Sequence, residues 1–286
     1  MRYPPTDLPV TLPCVMGIVN VTPDSFSDGG LHDDTDSAVA HGLLLAAQGA
    51  AILDIGGEST RPGSDPVSVD EELARVVPVI ERLAATSPAL ISIDTTKAAV
   101  ARAALDAGAG LVNDVTALRG DPEMAALVAE RGCPVCLMHM LGEPRTMQDD
   151  PRYDDVVAEV IAFLEQRLSA ALAAGVREEQ VLLDPGIGFG KTLAHNLLLL
   201  AHLDRVAALG RPVVLGASRK RFIGALLGAA PLERAVGTVA TTVLGLAHGA
   251  AIVRVHDVHA NVEALRVAQA ILEAGDAVGA GAASAV

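Results

Sequence analysis

The sequence is poor in aromatic residues and in lysine. Of its 286 residues, 51% are hydrophobic, but only 2% are aromatic and none is tryptophan. A core must therefore be built from Ala, Val, Leu and Ile. The formal net charge of −14 disfavours nucleic acid and anionic membranes as partners. The three lysines, Lys97, Lys191 and Lys220, each follow shortly after a predicted strand, so these scarce cations are expected near strand ends.

Long apolar runs and an even set of cysteines are also absent. No run reaches the roughly 18 residues that a membrane span needs, and MRYPPTDLPV lacks the apolar centre of a signal peptide. We expect a cytoplasmic protein with no membrane partner. Three cysteines argue against a disulfide framework. Cys133 and Cys136 lie in a probable strand, where residues three apart point to opposite faces, so buried thiols are favoured over a redox or metal site.

Short β-rich runs alternate with Ala- and Leu-rich amphipathic segments along the chain. This alternation is typical of a parallel sheet with crossover helices. Eight strands are predicted, at Cys14–Val21, Ala51–Gly56, Leu90–Asp94, Leu111–Val115, Pro134–His139, Val181–Asp184, Pro212–Ala217 and Ala251–His256.

Eight such repeats over about 260 residues predict a single-domain (β/α)8 TIM barrel. We assign the barrel to residues 12–275, with an N-terminal extension at 1–11 and a disordered tail at 276–286. The alternative is a doubly wound open sheet, which would normally carry a recognisable nucleotide-binding loop after its first strand. Here the first strand is followed by NVTPDSFSDGG instead.

Two of the intervening helices have clear boundaries in the sequence. Asp70–Ala85 carries apolar residues on one face, and Ser68 and Glu71 have the spacing of a capping box. Asp154–Ala174 has a similar apolar face and is followed by Gly175, which favours termination.

The stretch VLLDPGIGFGK, residues Val181–Lys191, invites a phosphate-binding interpretation that fails on its spacing. A P-loop needs a glycine at the position of Pro185, and the G-x-G-x-G spacing is one residue short of the dinucleotide fingerprint. The acid at the end of the strand still suggests a site, but the ligand stays open at this point.

In a barrel, the site is formed by loops at the carboxyl ends of the strands. Asp94, Asn113 and Asp184 come from such ends on strands 3, 4 and 6. Two carboxylates and an amide suit the edge of a flat heterocycle. The alternative is that each caps a helix or pairs with a barrel neighbour, although burying unpaired carboxylates is costly.

Basic residues form the second candidate group. Arg254 and His256 are two apart on the last strand and share a face, and Arg61 lies in the loop after strand 2. Barrels often bind phosphate near the loops after strands 7 and 8, where Ser218–Arg221 also falls. An anionic ligand group, most economically phosphate or pyrophosphate, is expected, although Arg254 could instead form an ion pair at the barrel rim.

The loops after strands 1 and 2 are long and rich in Gly, Pro, Ser and Asp. Loops of this kind commonly act as lids. A flexible surface turn is the simpler interpretation of SFSDGG, and the sequence leaves both open.

The motifs MGIVNVTPDSFSDGG, DIGGESTRPG, SIDT, VNDV, DPGIGFGK, GASRKR and RVHDV occur in this order. Together they resemble the dihydropteroate synthase family, from Val15 to about Ala270. The resemblance implies a transferase of folate biosynthesis and a sulfonamide target. Such an enzyme joins 6-hydroxymethyl-7,8-dihydropterin diphosphate to 4-aminobenzoate and releases diphosphate with Mg²⁺ present. It also implies a homodimer by analogy.

The resemblance further implies roles for individual residues. The pterin-binding positions are Asp94, Asn113 and Asp184, with Lys220 reaching the ring and Arg254 lying against it. The diphosphate-binding positions are Asn20, Thr60, Arg61, Arg254 and His256, and Asn20 is also the expected Mg²⁺ ligand. The positions of the 4-aminobenzoate pocket are Pro62, Phe189 and Ser218. The residues expected to carry catalysis are Arg61, Lys220, Arg254 and His256.

Three further residues need separate mention. Asp28 is a lid candidate, and Lys191 is left outside the site. Arg221 stands where a small serine often follows the lysine and helps to hold the aminobenzoate carboxylate. The rival functions are a non-catalytic barrel relative, which should have lost parts of these motifs, and a corrinoid-linked folate methyltransferase, which handles no diphosphate.

Overall fold

The computed structural model describes residues 3–21, 31–59, 64–143 and 145–283, without the side chains of 31–34 and 276–283. Its eight strands form a closed parallel barrel in sequence order. They are β1 Cys14–Asn20, β2 Ile52–Gly56, β3 Leu90–Asp94, β4 Leu111–Asp114, β5 Val135–Met138, β6 Val181–Asp184, β7 Val213–Leu215 and β8 Ala250–Val255. The predicted TIM barrel is confirmed. The open-sheet alternative is wrong, because β1 pairs with β8 and closes the sheet.

Helices follow the strands and form the outer layer. They are α1 Leu31–Ala47, α2 Val69–Thr86, α3 Ala98–Asp106, α4 Met124–Arg131, α5 Val156–Ala173, α6 Leu193–Ala201, α7 Leu203–Ala207, α8 Arg221–Leu227, α9 Ala235–Ala247 and α10 Val258–Ala283. In the part of the chain that the structure describes, no helix is long and apolar enough to cross a membrane.

Both helices predicted in detail are present, with ends shifted by up to two residues. The Ser68 hydroxyl accepts a hydrogen bond from the Glu71 amide at 3.2 Å, which is one half of the predicted capping box, while the Glu71 carboxylate pairs with Arg75 instead. After α5, Gly175 has a φ of +94°, a conformation that favours glycine and lets the chain turn away.

The interior of the barrel changes from apolar to polar along the strands. Side chains alternate between the two faces of each strand. The apolar interior cluster is formed by Met16, Ile52, Leu111, Cys136, Leu182, Val214 and Ile252, with a few neighbours. Two residues further along β2, β4, β6 and β8, the inward side chains are Asp54, Asn113, Asp184 and Arg254. The apolar layer therefore lies beneath a polar one, and only the carboxyl ends can open to a ligand.

The N-terminal extension packs against the barrel. Leu8 is buried and joins the apolar interior cluster. The Asp7 amide donates to the Glu179 carbonyl at 2.9 Å, and the Tyr3 hydroxyl donates to the Ala250 carbonyl at 3.2 Å. These contacts cover the amino-terminal end of the barrel.

The tail expected to be disordered is in part helical. α10 continues past Gly275 to Ala283, so this helix extends into the segment that was expected to be disordered. Alanine has the highest helix propensity of all residues, and the alanines of DAVGAGAA offset the cost of its glycines.

Candidate functional site

A cleft of about 770 Å³ opens at the carboxyl ends of the strands. It brings together nine residues that the sequence assigned to a site: Asn20, Asp94, Asn113, Asp184, Phe189, Ser218, Lys220, Arg254 and His256. Four other predicted residues lie outside the described parts of the chain: Asp28, Thr60, Arg61 and Pro62.

The floor of the cleft is a hydrogen-bonded charge cluster centred on Arg254. Its Nε donates to Asp54 Oδ2 at 2.6 Å, and its Nη2 donates to Asp94 Oδ2 at 2.7 Å. The Asn113 amide nitrogen also donates to Asp54 Oδ2, at 3.0 Å. Asp54 is fully buried, and its Oδ1 has no hydrogen-bond partner among the described residues. Arg254 is thus ion-paired, but deep in the barrel rather than at its rim.

Burial and charge act in opposite directions on the members of this cluster. Burial raises the pKa of Asp94 to about 7, with the Arg254 charge opposing this shift and the Asp54 charge adding to it. For Arg254, burial disfavours the cation, but Asp54 and Asp94 outweigh it and raise its pKa above the ordinary value. Arg254 therefore stays charged, while Asp94 changes its protonation state near neutral pH.

Asp184 and Lys220 lie beside this cluster. The Gly186 amide donates to Asp184 Oδ1 at 2.7 Å, and burial raises the pKa of Asp184. The Lys220 ammonium donates to the Ile187 carbonyl and lies 4.1 Å from the centroid of the Phe189 ring. Burial lowers the pKa of Lys220 to about 7, and the charge of Asp184 opposes that shift.

Ser218 and His256 orient each other across the ends of β7 and β8. The His256 amide donates to the Ser218 hydroxyl oxygen at 3.1 Å, and that oxygen lies 3.0 Å from His256 Nδ1. Either group can be the donor in the contact between the hydroxyl and Nδ1, according to the tautomer of the imidazole. This arrangement holds the His256 ring in the cleft wall.

The residue after Ser218 locks the same two loops together. Arg219 has a φ of +55° and donates to both carboxylate oxygens of Asp257, at 2.9 and 2.5 Å. The Arg234 guanidinium donates to the Arg219 carbonyl at 3.0 Å. The ion pair between Arg219 and Asp257 was not predicted from the sequence. Its only signal was that both residues directly follow site residues at the ends of strands 7 and 8.

A second cluster that the sequence analysis missed holds the loop after β2. The Lys97 ammonium lies 2.6 Å from Glu58 Oε2 and 2.5 Å from Glu72 Oε2, and Glu72 is fully buried. Glu58 Oε1 accepts from the Val67 amide at 3.1 Å. The carboxylate of Glu58 thus joins the two stems that flank residues 60–63.

The loop after β6 packs closely against the end of β5. A Cβ atom at Gly186, where φ is +67°, would lie 1.8 Å from the His139 carbonyl oxygen. At Gly190, where φ is +63°, it would lie 2.7 Å from the Leu141 carbonyl oxygen. The glycines that resembled a nucleotide loop therefore permit close contact between two loops. This packing places Lys191, which the sequence analysis left outside the site, in the cleft wall with only 3% of its surface exposed.

Removal of the central cation should expose the cost of the buried acids. Arg254→Met leaves Asp54 and Asp94 without a counter-ion, so we expect the free energy of unfolding at pH 8 to fall by about 3 to 5 kcal/mol. The loss should shrink below about pH 7. The pKa of Asp94 is already about 7, and without Arg254 it rises further, so Asp94 takes up a proton in the folded variant and no longer carries an unpaired charge. Urea unfolding from pH 5 to pH 8 measures this.

The matched control is Arg82→Met, which removes an arginine from an exposed ion pair with Asp36. It should cost little at any pH. An equal loss for Arg254→Met at pH 5 and pH 8 would contradict the electrostatic explanation.

Known proteins share both the sequence and the fold. The family model described as "Pterin binding enzyme" matches residues 16–256. The dihydropteroate synthase of Escherichia coli (strain K12) is 49% identical over 269 residues, which cover 94% of this chain and 95% of the relative. A solved dihydropteroate synthase from Xanthomonas albilineans with 4-aminobenzoic acid has a TM-score of 0.86 and 56% identity, covering 91% of this chain and 93% of its own. The Yersinia pestis dihydropteroate synthase, solved with a sulfonamide drug complex, has a TM-score of 0.89 and 46% identity. The match covers 96% of this chain and 100% of the Yersinia pestis chain. This chain therefore belongs to the pterin binding enzyme family, among its dihydropteroate synthases.

Proposed function

We propose that this chain condenses 6-hydroxymethyl-7,8-dihydropterin diphosphate with 4-aminobenzoate to give 7,8-dihydropteroate and diphosphate. The observation that carries the proposal is the division of the cleft. Buried acids and an amide form its floor, while Lys220, Ser218 and His256 lie in its wall at the ends of β7 and β8. One half suits a flat, hydrogen-bonding heterocycle and the other suits an anion. The similar Xanthomonas albilineans enzyme was solved with 4-aminobenzoic acid.

We assign the pterin to the floor. Asp94 and Asp184 supply carboxylate acceptors for the amino and ring N–H groups of the heterocycle. Because the Asn113 amide nitrogen donates to Asp54, its amide oxygen is left to accept from the ligand. Arg254 is held by two carboxylates, and this favours a role against the pterin ring over a role as a free phosphate ligand.

We assign the diphosphate to the side of the cleft near β1 and β8. His256 lines the cleft just after β8, and Asn20 lines it at the end of β1. Thr60 and Arg61 complete this group in the proposal, and Arg254 adds positive charge from the floor without binding the diphosphate directly. Their loop stems are held by Glu58 and Lys97.

Mg²⁺ fits this half through few protein ligands. No group of three His, Cys, Asp or Glu side chains suited to a metal occurs within residues 3–283 as far as they are described. Mg²⁺ commonly binds through one or two protein oxygens and the phosphates of a substrate, and the Asn20 amide oxygen can supply such a ligand. When bound, the ion would neutralise charge on the departing diphosphate.

The proposed reaction forms one C–N bond and breaks one C–O bond. The amine nitrogen of 4-aminobenzoate attacks the pterin methylene carbon and loses a proton, and diphosphate leaves with the electron pair of the C–O bond. Because an aniline nitrogen is a modest nucleophile, departure of diphosphate must be assisted, and we propose a largely dissociative substitution. His256 and Arg61 stabilise the leaving anion, while Asp94 and Asp184 stabilise positive charge on the pterin.

The aminobenzoate is placed against Phe189, which packs against the buried cluster of Val115, Met138, Met140 and Met147. Pro62 completes the pocket in the proposal. Ser218 is a poor carboxylate ligand because its hydroxyl already serves His256. We therefore propose that Arg221, which is exposed and lines the cleft at the start of α8, binds the carboxylate. Sulfonamides that mimic 4-aminobenzoate would occupy the same pocket.

The test of this function is diphosphate release by the full chain. With both substrates and Mg²⁺, a coupled assay should show release that depends on 4-aminobenzoate. His256→Ala should lower kcat while the affinity for the free pterin is kept. Asp184→Asn should weaken pterin binding about tenfold through loss of a charged acceptor. No release above background by the unmodified chain would refute the proposal and favour a binding protein or a corrinoid-linked methyltransferase.

The protonation of Asp94 should appear in the pH dependence. Because its pKa in the free protein is about 7, the acceptor form is present above that pH and is lost below it. We expect kcat/KM for the pterin diphosphate to fall as pH drops through about 7, since this ratio reports the free enzyme. Asp94→Asn should lower kcat/KM and abolish this acid limb. If the limb survives in that variant, it belongs to another group or to the substrate.

A homodimer is the assembly we propose. Among the side chains that the structure describes, the five most exposed large apolar ones all lie between residues 232 and 271. They are Leu232, Val236, Leu244, Val267 and Ile271, each at least 62% exposed. Such concentrations of exposed apolar side chains mark interfaces.

Sedimentation analysis should show a dimer that Val236→Asp dissociates. Leu44→Asp, an equally drastic change at an exposed position of α1, should leave the dimer intact. A monomeric unmodified chain at micromolar concentration would rule this assembly out.

A further inference from the structure

The loop after β6 is held by side chains at every carbonyl from Ile187 to Gly190. Each of these four carbonyl oxygens accepts a hydrogen bond from a different side chain. The donors, in chain order of the acceptors, are Lys220, Gln148, Lys191 and Tyr153. The backbone of this loop is therefore positioned from several directions, and Lys191 is responsible for the carbonyl of Phe189.

Lys191 is the most deeply buried of the three lysines. Its Nζ donates to the Phe189 carbonyl at 3.0 Å and lies 2.8 Å from His139 Nδ1. Burial lowers the pKa of Lys191 well below its ordinary value, and the nearby Lys220 charge adds to this. A buried amine is costly unless it is hydrogen-bonded, and none of the roles assigned above uses it.

His139 gives this contact a rigid partner. It follows β5, and its ring packs edge-on against Phe163 with centroids 4.8 Å apart. Burial lowers the pKa of His139 to about 3, followed by the effect of Lys191, so the ring is neutral and Nδ1 can accept from the lysine. Lys191 thus connects the end of β5 to the backbone of Phe189.

The position of Phe189 affects one half of the cleft. Phe189 packs against the buried cluster that contains Met138 and Met147, and its ring lies beneath Lys220 Nζ. The pterin floor, in contrast, is formed by Asp94, Asp184 and Arg254. The hydrogen bonds of the Lys191 side chain go to Phe189 and His139, and among the described residues it acts on the floor only through the effect of its charge on Asp184. A displaced Phe189 backbone would alter the aromatic amine pocket and leave the pterin floor in place.

We propose that Lys191 is a positioning residue for the aromatic amine: through the Phe189 carbonyl and the His139 imidazole, it fixes where the Phe189 ring lies. This inference rests on the proposed function. In this role Lys191 contributes to the specificity for the second substrate, although its Nζ is hydrogen-bonded to protein atoms.

Lys191→Met in the full chain tests the inference, because methionine has a similar length and no donor. Loss of about one strong hydrogen bond should raise KM for 4-aminobenzoate about tenfold. The calorimetric Kd of the pterin diphosphate should change less than about twofold. An unchanged KM, or an equal loss of pterin affinity, would overturn the proposal.

A double-variant cycle separates positioning from general loosening of the loop. In a Phe189→Leu background, Lys191→Met should raise KM less than about twofold, because the ring it positions is gone. Tyr153→Phe, which removes the donor to the neighbouring Gly190 carbonyl, is the matched control and should raise KM less than about threefold. A full tenfold effect of Lys191→Met without the Phe189 ring, or an equal effect of Tyr153→Phe, would contradict the inference.

Lys191→Gln provides a folded substitute if the methionine variant does not fold, since it keeps a polar group but is too short to reach both partners. It should show the same split between the two substrates. Diphosphate release by the unmodified chain decides the proposed function separately. If the unmodified chain is active but substitution of Lys191 leaves KM for 4-aminobenzoate unchanged, only the positioning role is refuted.

Discussion

The site depends on keeping opposite charges together inside a closed barrel. Arg254 of β8 reaches Asp54 of β2 and Asp94 of β3, so the cluster requires β8 to lie beside β1 and across from its acidic partners. The apolar layer beneath it excludes water from below, which strengthens these interactions and makes any unpaired charge costly. The same arrangement that stabilises the floor gives Asp94 a pKa near neutrality and leaves Asp184 as a buried acceptor.

The loops around the floor are held by cations that bond to the protein itself. Lys97 joins the stems of the loop after β2 to α2, Lys220 bonds to the Ile187 carbonyl, and Lys191 bonds to the Phe189 carbonyl. All three lysines of the chain therefore fix loops at the carboxyl ends of strands. Arginine has a similar role in the pair between Arg219 and Asp257. The catalytic face thus keeps its shape through contacts from side chain to backbone and between charged groups of neighbouring loops.

Much of this architecture could be predicted from the sequence, because strands and helices repeat along the chain and each is recognisable from its own residues. The alternation of strands and helices identified the barrel, and strand ends alone placed Asp94, Asn113, Asp184 and Arg254 in one cleft. Pairings across the barrel could not be predicted in this way, since register decides them. The partnership of Arg254 with Asp54 and the engagement of Ser218 by His256 have no signal in spacing. The place of Lys191 in the cleft wall could not be predicted either, because the pattern around it shows a tight turn but not the direction of its side chain.

The central claim is that the buried charge cluster binds the pterin and that the anion lies elsewhere. A crystal structure of the chain with the pterin diphosphate and Mg²⁺ tests it most directly. We expect the pterin ring to contact Asp94, Asn113 and Asp184, and the diphosphate to lie near Asn20 and His256. A structure in which the diphosphate occupies the floor beside Arg254, with the ring toward the rim, would contradict it.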